Sequence, residues 1–192
     1  MMRRLVLTLA ALAALAGCAG PGGGGPFGER IYGAEFFTTY SPSQFSAFAA
    51  AGPLLELRGT PPGGATAAEL APILRLPGFW PQTPFRAVTP ETPPSAQRIV
   101  LIFGVAGMIN PIDVCAATGA GGETPDRLEV VAAFCRGSRT GSTAKLSVDR
   151  PLAIDDPAFS TAMTRLFHAI APPYAPLDRL DRGRGRARFL FL

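Results

Sequence analysis

Three groups of residues in this chain have types and spacings that could do chemistry. The chain has three cysteines, which are Cys18, Cys115 and Cys135. Ser142 and Lys145 are three residues apart, so on a helix the lysine amine would lie where it can accept the serine hydroxyl proton. His168 is the only histidine, so any histidine-dependent hydrolysis would rest on it. The elements around each group decide which of these reactions the chain can support.

The first cysteine follows a short apolar segment at the N-terminus. Arg3 and Arg4 precede twelve uncharged residues, 5–16, which are too few to cross a bilayer but typical of a signal peptide. The sequence Leu15-Ala16-Gly17-Cys18 then resembles the lipobox of bacterial lipoprotein precursors. The resemblance implies cleavage before Cys18, a thioether-linked diacylglycerol on its sulfur and an acyl chain such as palmitate on its amino group. The alternative is an ordinary secretory peptide with an incidental cysteine.

Residue 19 bears on the destination of the lipidated chain. In the lipoproteins that this chain resembles, aspartate after the lipidated cysteine favours retention in the inner membrane, and here the residue is Ala19. In a bacterium with two membranes, the resemblance therefore implies a protein that is anchored by lipid in the outer membrane and faces the periplasm. Residues 19–28 form a Gly/Pro-rich tether whose root-mean-square span is about 17 Å, which would hold the domain close to its membrane.

Lipidation of Cys18 would leave Cys115 and Cys135 as a pair. In an oxidising envelope compartment we expect this pair to form a disulfide, and two buried reduced cysteines are the alternative. The bond is difficult to reconcile with a simple antiparallel pairing of the predicted strands 98–105 and 128–135. In that pairing Cys135 would lie at the far end of its strand from the connection that contains Cys115. We therefore favour a parallel crossover, and a connection that folds back along the sheet is the other solution. The cysteine spacing predicts no metal site.

The serine and lysine motif resembles the S-x-x-K nucleophile motif of penicillin-binding proteins and serine β-lactamases. That family's S-D-N and K-T-G elements are absent, and Lys145 is the only lysine. The segment around Ser142 continues as an alternating strand, in which the two side chains would project to opposite faces. His168 falls on the polar face of the last helix, where a solvated side chain is expected. We predict no catalytic residues, no metal and no cofactor.

A cationic cluster occupies the C-terminal segment. Its members are Arg179, Arg182, Arg184, Arg186 and Arg188. Two interpretations are open: contact with an anionic surface or acidic partner, or a solvated tail. Loss of the signal peptide lowers the formal net charge from +4 to +2, so the composition predicts no nucleic-acid partner. The tail ends in four apolar residues, 189–192, for which docking on the sheet or contact with lipid is expected.

The apolar pattern predicts the elements that position these residues. Strands are predicted at 34–40, 54–58, 98–105, 128–135 and 144–148, with a short edge strand at 85–88. The segment 144–148 alternates, so it is predicted to be half-exposed. Helices are predicted after capping signals at Ser41, Thr66 and Asp156, with a kink or late start at Pro72 in the second.

Together these elements predict an α+β fold, a two-layer domain in which two or three helices lie on one face of a mixed sheet of about five strands. The predicted organisation is a signal peptide (1–17), a lipidated cysteine and tether (18–30), one domain (31–176) and an Arg-rich tail (177–192). For function we predict a lipid-anchored envelope lipoprotein, a non-catalytic binding or assembly module with membrane contact through Cys18 and an unidentified envelope protein as partner. The alternative is a lipid-anchored hydrolase acting on cell-wall or glycan material.

Overall fold

The structure is a computed structural model, and it describes residues 28–104, 109–117, 121–122 and 124–174. The predicted signal peptide, Cys18 and most of the tether lie outside these residues, and so does the Arg-rich tail. Among the helices of the described part, none is long and apolar enough to cross a membrane.

A six-stranded mixed sheet forms the centre of the domain. In sheet order its strands run β1-β6-β5-β4-β2-β3. Strand β2 is parallel to both of its neighbours, and every other neighbouring pair is antiparallel. The strands are β1 (Glu29–Phe36), β2 (Leu54–Arg58), β3 (Arg86–Ala87), β4 (Gln97–Phe103), β5 (Leu128–Arg136) and β6 (Arg139–Val148). The predicted α+β class with a mixed sheet is confirmed.

Three helices complete the fold, and they are α1 (Pro42–Ala50), α2 (Ala67–Leu70) and α3 (Pro157–Ile170). The Asp156 side chain caps α3 by accepting from the Ala158 amide at 2.8 Å. Thr66 and Glu69 form the predicted capping box of α2. That helix ends at Leu70 rather than bending at Pro72, because proline has no N–H to donate to the preceding turn.

The helices pack on one face of the sheet, and a loop covers the centre of the other. Phe45 of α1, Leu70 of α2 and Phe159 of α3 join one core with the helix-side residues of the strands. A second, smaller core lies on the opposite face, where Val114 and Cys115 cover residues of β4 and β5. Both central strands are therefore apolar on both faces, as their uninterrupted hydrophobic runs predict.

Three expectations about the sheet are wrong. The first strand spans Glu29–Phe36 rather than 34–40, because the chain turns after Phe36 and Tyr40 packs into the core. Strand β6 is buried along most of its length rather than half-exposed, since hydroxyl side chains such as Thr143 are buried and donate to backbone carbonyls. Strands β4 and β5 are antiparallel neighbours, so the parallel crossover that we favoured between them does not occur. Instead, the chain leaves β4 at Phe103 and folds back along the sheet face. It thereby brings Cys115 to Cys135, which pairs with Arg98 near the start of β4.

Candidate functional site

The Cys115–Cys135 disulfide fastens the loop to the face of the sheet that carries no helix. The two Cα atoms are 5.6 Å apart, within the range that a disulfide requires. Both residues are almost completely buried, with 3% and 0% of their surfaces exposed. The predicted pairing is confirmed, and its surroundings offer no accessible thiol for chemistry.

An arginine on β2 holds the same loop. Arg58 donates to the carbonyl of Val114 at 2.8 Å and also to the carbonyl of Ala117. Glu56 accepts from Arg58 at 2.7 Å and from Arg98 on β4. The carboxylate therefore lies between two arginines whose remaining donors are directed at backbone carbonyls. This cluster positions the loop, and its charged groups are already partnered.

The structure separates the serine and lysine of the S-x-x-K sequence. Ser142 is fully buried on the helix side of β6 and donates to the carbonyl of Ile170 at 2.5 Å. Lys145, three residues along the same strand, lies on the opposite face, opposite Tyr32 of β1. The predicted separation is confirmed, so this serine has no lysine beside it to accept its proton.

Three buried donors instead fix the C-terminal end of α3. Successive carbonyls accept from three different parts of the chain: Ile170 from Ser142, Ala171 from the Trp80 indole at 2.7 Å, and Pro172 from the Tyr40 hydroxyl at 2.7 Å. Burial raises the pKa of Tyr40 well above its usual range, so its hydroxyl keeps its proton at any physiological pH. The path of the chain beyond α3 is therefore determined as far as Pro172.

A groove lies between α3 and the outer edge of β1, and we call it the edge groove. Its volume is about 490 Å³. Its apolar lining consists of Ile31, Ala34, Phe36, Ala169, Pro172 and Tyr174. Arg165 and His168 lie on its helix side, and Arg165 pairs with the buried carboxylate of Glu29. An apolar groove with few charged groups is suited to binding rather than to acid–base chemistry.

The edge groove adjoins a strand with an unpartnered side in the described sheet. β1 is the terminal strand, and only β6 pairs with it. A bulge between Tyr32 and Glu35 interrupts the pairing, and Gly33 within it has a φ of +61°, which favours glycine. Ile31 and Phe36 on either side of the bulge are only half-buried. The bulge twists β1 locally, and the apolar groove beside it is open.

His168 is exposed, as predicted, and it makes an edge-to-face contact with an aromatic ring. Its ring centroid lies 5.3 Å from that of Phe79, which is 46% exposed. Tyr174, which also lines the groove, is 45% exposed. These rings extend the apolar surface of the edge groove over the end of α3.

The acidic residues at the start of α3 and beside α2 are the carboxylates that a glycan hydrolase could use. Asp156, adjacent to Asp155, caps α3 and also pairs with Arg150. Glu69 and Asp155 line one shallow depression, but hydrogen bonds from the Thr66 backbone and side chain lower the pKa of Glu69. A glycosidase acid needs a raised pKa. No group of three potential metal ligands occurs within the described ranges.

A second cavity, of about 280 Å³, lies at the carboxyl ends of β2 and β4, a position where parallel sheets often bind ligands. The backbone amides around it are occupied: Thr60 donates to Gly122, Gly122 donates to Phe103, and Gly104 donates to Glu129. These amides are therefore not available to cradle a phosphate. Gly122 instead makes a close backbone connection between Thr60 and Phe103.

The comparisons with known proteins give no relatives. No protein-family model, curated protein or solved structure matches the chain. Sequence reasoning missed the edge groove, because its walls come from β1 and α3, more than 100 residues apart in the chain. Residues 29–36 have no regular alternation that would have pointed to it.

Proposed function

We propose that this protein is a lipid-anchored bacterial envelope lipoprotein that acts as a non-catalytic binding module. In this proposal Cys18 carries the lipid, the outer membrane holds the chain, and the domain faces the periplasm. The edge groove binds a partner protein through an extended segment with apolar side chains at alternate positions. Such a segment would add to the outer edge of β1 and place every second side chain in the groove.

The Cys115–Cys135 disulfide is the observation that supports a location in the cell envelope. Disulfides persist in oxidising compartments such as the bacterial periplasm and are rare in the cytosol. The pairing also leaves Cys18 as the one cysteine available for lipid, at the position where the lipobox resemblance requires it. The disulfide and the lipobox cysteine thus both support a location in the cell envelope.

The surface chemistry favours binding over the alternative, a cell-wall or glycan hydrolase. The edge groove is lined mostly by apolar side chains, and the histidine on its helix side makes an edge-to-face contact with Phe79. The histidine could act as a base only towards a substrate in the groove, where Ser142, already bonded to Ile170, does not reach. No described residue favours the hydrolase specifically.

Site-directed photo-cross-linking in intact cells tests the proposal. A photoreactive amino acid replaces Ala34 in the groove or Thr161 on the exposed side of α3. We expect a discrete cross-linked envelope protein from position 34 and not from position 161, and we expect Cys18→Ala to reduce it by releasing the chain from the membrane. Equal cross-linking from both positions, or cross-linking independent of Cys18, would contradict the proposal. Release of glycan fragments by the purified protein would favour the hydrolase.

A further inference from the structure

The described chain ends at the edge groove. Tyr174, its last residue, is part of the groove wall, and the carbonyls just before it are fixed by Tyr40 and Trp80. Eighteen residues follow in the sequence, 175–192. A segment tethered this closely has an effective concentration of the order of millimolar at the groove, far above that of any partner in solution.

The edge groove has room for the side chains of one more strand beside β1. On the helix side of β1, Ile31, Ala34 and Phe36 line it, and Tyr32 and Glu35 lie on the opposite side of the strand. A seventh strand beside β1 would direct every second side chain into the groove. Large apolar residues at alternate positions would therefore cover the half-buried Ile31 and Phe36.

The C-terminal segment contains such a pattern. Residues 189–192 are the only run of four apolar residues after Tyr174, and Phe189 and Phe191 are two positions apart. The fourteen residues between Tyr174 and Phe189 can span about 46 Å, compared with about 26 Å for the length of β1. When the phenylalanines face the groove, Arg188 faces the other side, the side on which Glu35 is exposed.

We infer that the C-terminal residues 188–192 dock along β1 as an additional edge strand, with Phe189 and Phe191 in the edge groove. The docked segment occupies the surface that a partner uses, so it acts as an autoinhibitory contact that the partner displaces. The docking itself depends only on residues of the domain and tail. Its regulatory role rests on the proposed function.

Amide hydrogen exchange tests the docking on the mature chain carrying Cys18→Ser, which keeps every described residue and needs neither lipid nor partner. The reporters are the amides of residues 31–36 that point away from β6, because only another strand protects them. We expect Phe189→Ser/Phe191→Ser to increase their exchange by about tenfold or more and to leave β4 and β5 unchanged. We expect the matched Leu190→Ser/Leu192→Ser variant to have a smaller effect.

Two further experiments identify the segment that fills the edge groove. Ala34→Arg fills the groove and should increase the exchange of the same amides, whereas Thr161→Arg on the exposed side of α3 should not.

The second experiment uses a chain that ends at Arg188. Its amides in residues 31–36 should regain protection from exchange when a synthetic peptide of residues 184–192 is added, but not when the peptide carries serine at both phenylalanine positions. Protection that is unaffected by the phenylalanine variant would overturn the inference. So would protection that rises with protein concentration, since a second copy would then occupy the groove. Neither result would affect the lipid anchor or partner binding.

Discussion

Removal of the Cys115–Cys135 disulfide is expected to lower the stability of the domain without changing its fold. The bond closes a loop with a sequence separation of 20 residues. In the chain-entropy model, a loop of this length contributes about 3 kcal/mol by restricting the unfolded chain. The native loop should persist without the bond, because Arg58 still binds the carbonyls of Val114 and Ala117.

The appropriate variant is Cys115→Ala/Cys135→Ala, because alanine introduces no polar group at two buried positions. Urea unfolding of this variant and of the oxidised parent, both with Cys18→Ser, gives the difference in free energy of unfolding. We expect a decrease of about 3 kcal/mol, a large part of the 5–15 kcal/mol typical of a domain. A decrease below about 1 kcal/mol would refute the entropic reasoning. Two free thiols in the denatured, unreduced parent would refute the bond itself.

Two further substitutions test the packing around the groove and the second cavity. Trp80→Phe leaves the buried Ala171 carbonyl without its donor, so urea unfolding should show a loss of about 1–3 kcal/mol, and an unchanged stability would contradict the capping role of the indole. Gly104→Ala places a Cβ 2.3 Å from the Gly122 carbonyl oxygen, at a φ of +82°, and should destabilise far more than Gly63→Ala. Gly63 has a similar φ but open space around it, so its variant should lose only about 1 kcal/mol, and equal losses at the two glycines would contradict the steric argument.

The sequence predicted those helices and strands that are determined by residues close to one another in the chain. Strand β2 occurs with the predicted bounds, and α3 begins after its predicted cap at Asp156. The start of β1 was missed, because an edge strand with a bulge at Gly33 faces solvent and has no regular alternation. Strand β1 itself begins at Glu29.

Pairing between distant segments could not be predicted in the same way. The apolar runs of β4 and β5 are compatible with either direction, and a loop folded over one face makes both strands apolar on both sides. The hydrogen bond of Ser142 is likewise a contact between distant segments that the sequence does not predict. The spacing of this serine to Lys145 suggested a nucleophile, but its partner is the Ile170 carbonyl at the end of a helix that the strand's sequence does not specify.

The proposal that this chain is an envelope lipoprotein is tested by the mass of its mature N-terminus. The protein is extracted from bacterial membranes, digested, and its N-terminal peptide is analysed by mass spectrometry. We expect a peptide that begins at Cys18 and carries a diacylglyceryl thioether together with an acylated amino group. An unmodified Cys18, or a mature chain that begins at another residue, would refute the proposal.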